Sequence, residues 1–171
     1  MDKISLTPPE LYGNIGYNNT INERIPISIY LDHSALESAN TGYKANLGDT
    51  VNIDRVTDIF LDSFISFDTV PEAVNKAIYI LEIKEFDLKT ISNNSKYINK
   101  IIIPNKAPAT VGGETTVHRA SKFNYIGTIT PTKLKELTII LTLEDGSTGL
   151  KRGNSTGSSV WINLILVPRE E

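Results

Sequence analysis

Ala77-Ile78-Tyr79-Ile80-Leu81-Glu82-Ile83-Lys84-Glu85-Phe86 is the stretch on which the fold turns. Read at a period of two, it places Ile78, Ile80, Glu82 and Lys84 on one face. Tyr79, Leu81, Ile83 and Glu85 fall on the other. Ten such residues would also fit a helix. The tyrosine, the three isoleucines and the runs on either side decide for a strand, because β-branched and aromatic side chains suit a pleated surface.

Upstream, residues 70–76 form a loop around Pro71. Before it lies Asp58-Ile59-Phe60-Leu61-Asp62-Ser63-Phe64-Ile65-Ser66-Phe67, whose alternation slips at Asp62-Ser63. Such a slip predicts a bulge or a strand bent between two sheets. Residues 50–56 alternate through Val51 and Ile53, and residues 27–31 alternate through Ile27, Ile29 and Leu31. Between these two runs the chain is small and polar from 32 to 46, with one helical turn predicted at 34–38.

Downstream, a turn at 92–95 leads to a predicted strand over 97–103, stopped by Pro104-Asn105. Residues 104–121 read as a long polar loop. Strands follow over 122–129, closed by Pro131, and over 136–143, with a turn at Asp145-Gly146. A loop over 149–159 precedes the final strand, 159–167, ended by Pro168. Eight antiparallel strands in one domain of this length predict an all-β, two-sheet sandwich. The long loops at 32–48, 104–121 and 145–158 suit Greek-key crossings, and the eight-strand form of these is a single jelly roll.

The 171 residues suffice to bury a core without disulfides or a structural metal. There is no cysteine, which excludes disulfide frameworks, thiolate metal sites and thiol catalysis. Seventeen basic against twenty acidic residues give a net charge of −3, so no bulk electrostatic grip on nucleic acid or an anionic membrane is expected. No apolar run approaches the ~20 residues of a membrane helix, and the start of the chain lacks a signal-peptide core. Three Asn-x-Ser/Thr triplets, at Asn18, Asn93 and Asn154, read as Asn-rich turns.

Catalytic and metal motifs are not found. The two histidines, His33 and His118, have no ligand-spaced partners. His118 stands beside Glu114 and Arg119 in the predicted loop, but no nucleophile elbow accompanies it. Asp54, Asp58, Asp62 and Asp68 match no calcium-loop spacing and read as solvated strand positions. Trp161 and Phe123 are expected in the core, and Ile101-Ile102-Ile103 needs burial to avoid aggregation. No enzyme activity, cofactor or metal is expected.

Residues 1–25 differ from the remainder, 26–171, which forms the sandwich domain. Pro8-Pro9 breaks any regular element, and the apolar residues stand singly, without a period. The segment reads as an extended arm that gains order on a surface. Leu6, Pro8, Pro9, Leu11, Tyr12, Ile15 and Tyr17 of this arm are the candidate interface residues. The basic loop tip Lys151-Arg152 joins them.

The runs 58–64, 80–86, 100–105 and 122–127, with the ending Val160-Trp161-Ile162-Asn163-Leu164-Ile165-Leu166-Val167-Pro168-Arg169-Glu170, resemble small β-rich structural proteins of large eukaryotic double-stranded DNA viruses and their relatives. The resemblance covers about two thirds of the chain, from residue 58 onward. It lies in strand texture, order and ending. It implies a single jelly-roll minor capsid, penton or decoration protein, made in the host cytoplasm and resident in the virion. Its partners would be other capsid proteins or copies of itself, and it would act without an active site. The alternative is a lectin-like sandwich binding a glycan through its end loops, with Asp32, His33 and Tyr43 as candidates.

Overall fold

The computed structural model describes residues 24–67, 69, 78–104, 115–144 and 157–169, with the backbone alone described over 115–123. The protein is all-β, with two antiparallel sheets facing one another as a sandwich. The described elements, in order, are β1 (Ile25–Leu31), α1 (His33–Ser38), β2 (Tyr43–Ile53), β3 (Thr57–Phe67), β4 (Ile78–Ile83) and β5 (Asp87–Leu88). After a short 3-10 turn at Ser95–Tyr97 come β6 (Ile101–Pro104), β7 (Thr115–Ile129), β8 (Thr132–Leu143) and β9 (Ser159–Pro168). The first sheet has the order β1-β9-β3-β7-β5 and the second β2-β8-β4-β6.

Alternation does most of the building. On β4, Tyr79, Leu81 and Ile83 are fully buried, so theirs is the face that meets the core, and Ile80 of the other parity is buried as well. They meet Ile29, Leu31, Ile162 and Leu164 of the first sheet in one continuous core. The only polar atom carried into it by β4 is the Tyr79 hydroxyl. It sits 3.1 Å from Ser66 Oγ on β3 and 3.0 Å from Thr69 Oγ1, both buried. A phenol from one sheet and two alcohols from the other side satisfy each other, as burial requires.

The slip in β3 is a bulge. Leu61 pairs with Leu164 and Ser63 with Asn163, so Asp62 is the extra residue. It is exposed. Ile59 and Leu61 point inward before it, Phe64 and Ser66 after it. One inserted residue changes the parity of the strand and keeps both halves buried.

Other boundaries move. Tyr43–Ile53 is one strand where 32–46 was expected to be irregular. Ala45 is the small buried residue at its start, and the pairing jumps between Asn46 and Val51. Asn46 Oδ1 accepts the Gly48 N–H at 2.8 Å in that excursion, where Gly48 takes φ +78°. The helical turn expected at 34–38 is present as His33–Ser38, its N-terminus capped by Asp32 Oδ1, which accepts the Ala35 N–H at 2.8 Å. The strand expected over 97–103 starts only at Ile101, because Asn99 adopts φ +55° and breaks the extended run. Strand β7 begins at Thr115, so 115–121 is not loop as expected. Residues 105–114 lie outside the described set.

The two-residue β5 was not anticipated. Leu88 buries against the core and pairs with Gly127. A Cβ at Gly127 would overlap the Asp87 backbone, so glycine is what lets β5 approach. Where β4 ends, Glu85 completes the ladder. Its carboxylate accepts the Thr138 N–H and the Thr138 Oγ1–H, each at 2.8 Å.

Candidate interaction surface

An antiparallel sheet with one face in water ordinarily carries polar side chains there. The outer face of the first sheet departs from this. Tyr30, Trp161 and Ile65 lie side by side across β1, β9 and β3. Tyr30 and Trp161 are 49% and 43% exposed, with ring centroids 4.4 Å apart. Phe67, 44% exposed, lies two residues further along β3. A second apolar row, Pro26-Ile165-Phe60-Tyr125, crosses four strands. Its Phe60 and Tyr125 rings meet edge-on at 5.9 Å.

Between the two rows runs a polar one, Ser28-Asn163-Ser63. Ser28 Oγ donates to Asn163 Oδ1 at 2.6 Å, and Asn163 Nδ2 donates to Ser63 Oγ at 2.7 Å. These groups answer one another, so covering the face leaves few polar atoms without partners. One end is closed by charge. Arg169 Nε and Nη2 reach Asp58 Oδ1 at 3.0 and 2.8 Å, and its N–H bonds the Val56 carbonyl at 2.9 Å. The Asp58 hydrogen bond, then its charge, raises the guanidinium pKa, with Tyr125 adding in the same sense. An apolar centre with a self-satisfied polar seam and a charged rim has the anatomy of a contact surface.

Trp161 corrects the sequence reading. Val160, Ile162, Leu164 and Leu166 are buried, which turns Trp161 outward. Ser159 and Asn163, the polar residues of its parity, were the available signal. Ile101 and Ile103 are buried as required, while Ile102 stays exposed on the edge strand β6. The side chains of Phe123 and His118 lie outside the described set; the His118 backbone is in β7, paired with Phe64, rather than in a loop. The interface candidates Leu6, Pro8, Pro9, Leu11, Tyr12, Ile15, Tyr17, Lys151 and Arg152 all lie outside the described residues.

The described residues do not gather a polar constellation. Asp54 pairs with Arg55 at 3.7 Å, Asp58 with Arg169, and Asp62 tops the bulge. Among the described residues no three His, Asp or Glu side chains converge as a metal site. Of the lectin-like candidates, Asp32 is committed to its helix cap and Tyr43 packs against the core. The His33 imidazole Nδ1 is buried without a hydrogen-bond partner. An open cleft of about 320 Å³ on the second sheet includes Ile80, Glu82, Lys96 and Lys100, with Lys100 and Glu82 3.5 Å apart. No described helix is long and apolar enough to cross a membrane. No known family model matches the chain, and no curated protein is found as a relative.

Proposed function

We propose that the protein is a non-enzymatic structural subunit of a virus particle, a minor capsid, penton or decoration component that works by subunit contact. The observation that carries the proposal is the outer face of the first sheet. It presents two apolar rows flanking a self-satisfied polar seam, on a rigid sandwich. Burying one exposed large apolar side chain is worth about 1.5–3 kcal/mol, so several aromatics on one face are a substantial reserve for association.

The strand order supports a jelly roll. With β5 set aside, the sheets are β1-β9-β3-β7 and β2-β8-β4-β6. The pairs β1·β9, β2·β8, β3·β7 and β4·β6 are nested, as in one long hairpin folded upon itself. That architecture serves viral capsid proteins and lectins alike. The contact face and the resemblance in strand texture favour the capsid reading. The commitment of Asp32 and Tyr43 to the fold removes support from the lectin-like one.

Trp161 is the only tryptophan of the chain and lies on the face in question, so its fluorescence reports directly. Absolute mass by light scattering and Trp161 emission are followed over a concentration series for the full chain and for Tyr30→Ser/Phe67→Ser. The expected result is an oligomer whose formation shifts Trp161 emission to the blue, weakened in the double variant. Identical mass and emission in both proteins at every concentration would refute the proposal.

A further inference from the structure

We infer that the outer face of the first sheet receives residues 6–17 of a neighbouring copy, the two copies exchanging these segments reciprocally. The inference rests on the assembly reading above and names the occupant of its contact face.

The face has a pattern of its own. Along β9 its outward residues are Trp161, Asn163, Ile165 and Val167: apolar, polar, apolar, apolar. The single apolar residues of the leading segment show no period when read alone. Read every second residue, they run Leu11, Gly13, Ile15, Tyr17: apolar, small, apolar, apolar. An extended segment advances about 3.3 Å per residue, so Leu11 and Ile15 stand about 13 Å apart. The two apolar rows are also four residues apart along β9, at Trp161 and Ile165. Laid along β9, the segment puts its two branched side chains on the apolar rows. It puts Gly13, with no side chain, over the Ser28-Asn163-Ser63 seam. The other parity holds Pro8, Tyr12 and Asn14, which face away.

Position and reach agree. The chain enters the sheet at Ile25, in β1, whose Pro26 opens the second apolar row. Ten residue steps lead from Ile15 to Ile25 and span up to about 33 Å, enough to leave one sandwich and cross the next.

Size decides between this occupant and direct face-to-face pairing. Four strands about 4.8 Å apart give a face about 14 Å wide and, over the ten residues of β9, about 33 Å long, roughly 450 Å² in plan. A stable interface takes about 800 Å² and 20–30 residues per partner, or about 30 Å² per residue. Two flat faces fall well short. A donated segment of twelve residues buries roughly 350–400 Å², and giving one while receiving another brings each copy close to the standard area.

The chain has no cysteine, so single substitutions give unambiguous disulfide cross-links. Full-chain Ile15→Cys is mixed with size-tagged Ile165→Cys, and Tyr17→Cys with Val167→Cys. The control partner is Lys135→Cys, exposed on the second sheet. Heterodimers form only if the segment of one copy lies on another. The expected result is cross-linking at positions 165 and 167, at least tenfold above position 135. Leu11→Asp/Ile15→Asp in the full chain abolishes both the oligomer and the blue shift of Trp161. Equal or absent cross-linking in a protein that light scattering shows to be oligomeric overturns the inference and leaves the assembly reading standing. A monomer at every concentration overturns both.

Discussion

Replacing Tyr79 by phenylalanine isolates the polar link between the two sheets. The ring stays, 5.1 Å from Phe64 and fully buried, so no cavity opens. What is lost is one oxygen that serves two buried alcohols, Ser66 Oγ at 3.1 Å and Thr69 Oγ1 at 3.0 Å. Each hydrogen bond contributes about 0.5–1.5 kcal/mol net, and buried hydroxyls left alone carry a desolvation cost, so the change destabilises by about 2 kcal/mol. In a domain of this size that lowers the thermal midpoint by about 4–8 °C. Far-UV circular dichroism measures the midpoint, and urea titration gives the free energy. The partner test is Ser66→Ala, which removes one alcohol. In that background Tyr79→Phe costs about 1 kcal/mol less, because the two sites share a bond. An unchanged midpoint for Tyr79→Phe, or strict additivity with Ser66→Ala, would refute the reasoning.

Two further outcomes follow from the sheets. Deleting Asp62 closes the bulge: Leu61 and Ser63 become neighbours, as their partners Leu164 and Asn163 are, so Ile59, Leu61, Phe64 and Ser66 keep facing inward, whereas deleting Asp62 and Ser63 together turns one half of β3 outward. Exposing large apolar side chains costs about 1.5–3 kcal/mol each, so the double deletion costs about 3–6 kcal/mol, while deleting Asp62 alone stays within about 1 kcal/mol by urea titration. Equal effects of the two would show that the bulge does not set the register. Gly127→Ala drives a methyl into the Asp87 carbonyl, costs about 1–3 kcal/mol, and raises amide exchange at Asp87 and Leu88 ahead of the remaining strands. Uniform exchange would place the strain elsewhere.

The sequence made legible what repeats at a period of two and carries large residues. The alternation over 78–85 declared strand β4, and the parity slip at Asp62-Ser63 pointed to a bulge or a bend, of which the structure has the bulge. A helical turn was legible at 34–38, while its Asp32 cap came to light in the structure. What escaped depends on partners distant in the chain. Ala45 is too small to mark a strand by itself, yet it is buried because Leu137 of β8 lies opposite. The polar run at Thr115 reads as loop, and its strand backbone comes from pairing with Phe67 and its neighbours. Asn99 ends an apolar run that alternation would have continued. The apolar outer face was hidden for a related reason. In β9 both parities are largely apolar, and Ser159 and Asn163 are the faint sign in the strand pattern of which side leaves the core. The register with β1 and β3 is what turns Trp161 decisively towards solvent.

That register also sets a timetable. Strand β9 lies between β1 and β3, and β8 lies between β2 and β4. As the chain is made, β1, β2, β3 and β4 emerge with the strands that will separate them still unsynthesised. Ser28 waits 135 residues for Asn163. Until then β1 and β3 hold exposed ladder edges, open to each other or to other nascent chains. Because closure of such distant pairs is slow, the fold completes late and nearly all at once, when residues 159–168 slide into the gap left for them. A chaperone that shields strand edges would therefore raise the yield of folded protein more than one that acts on the finished subunit.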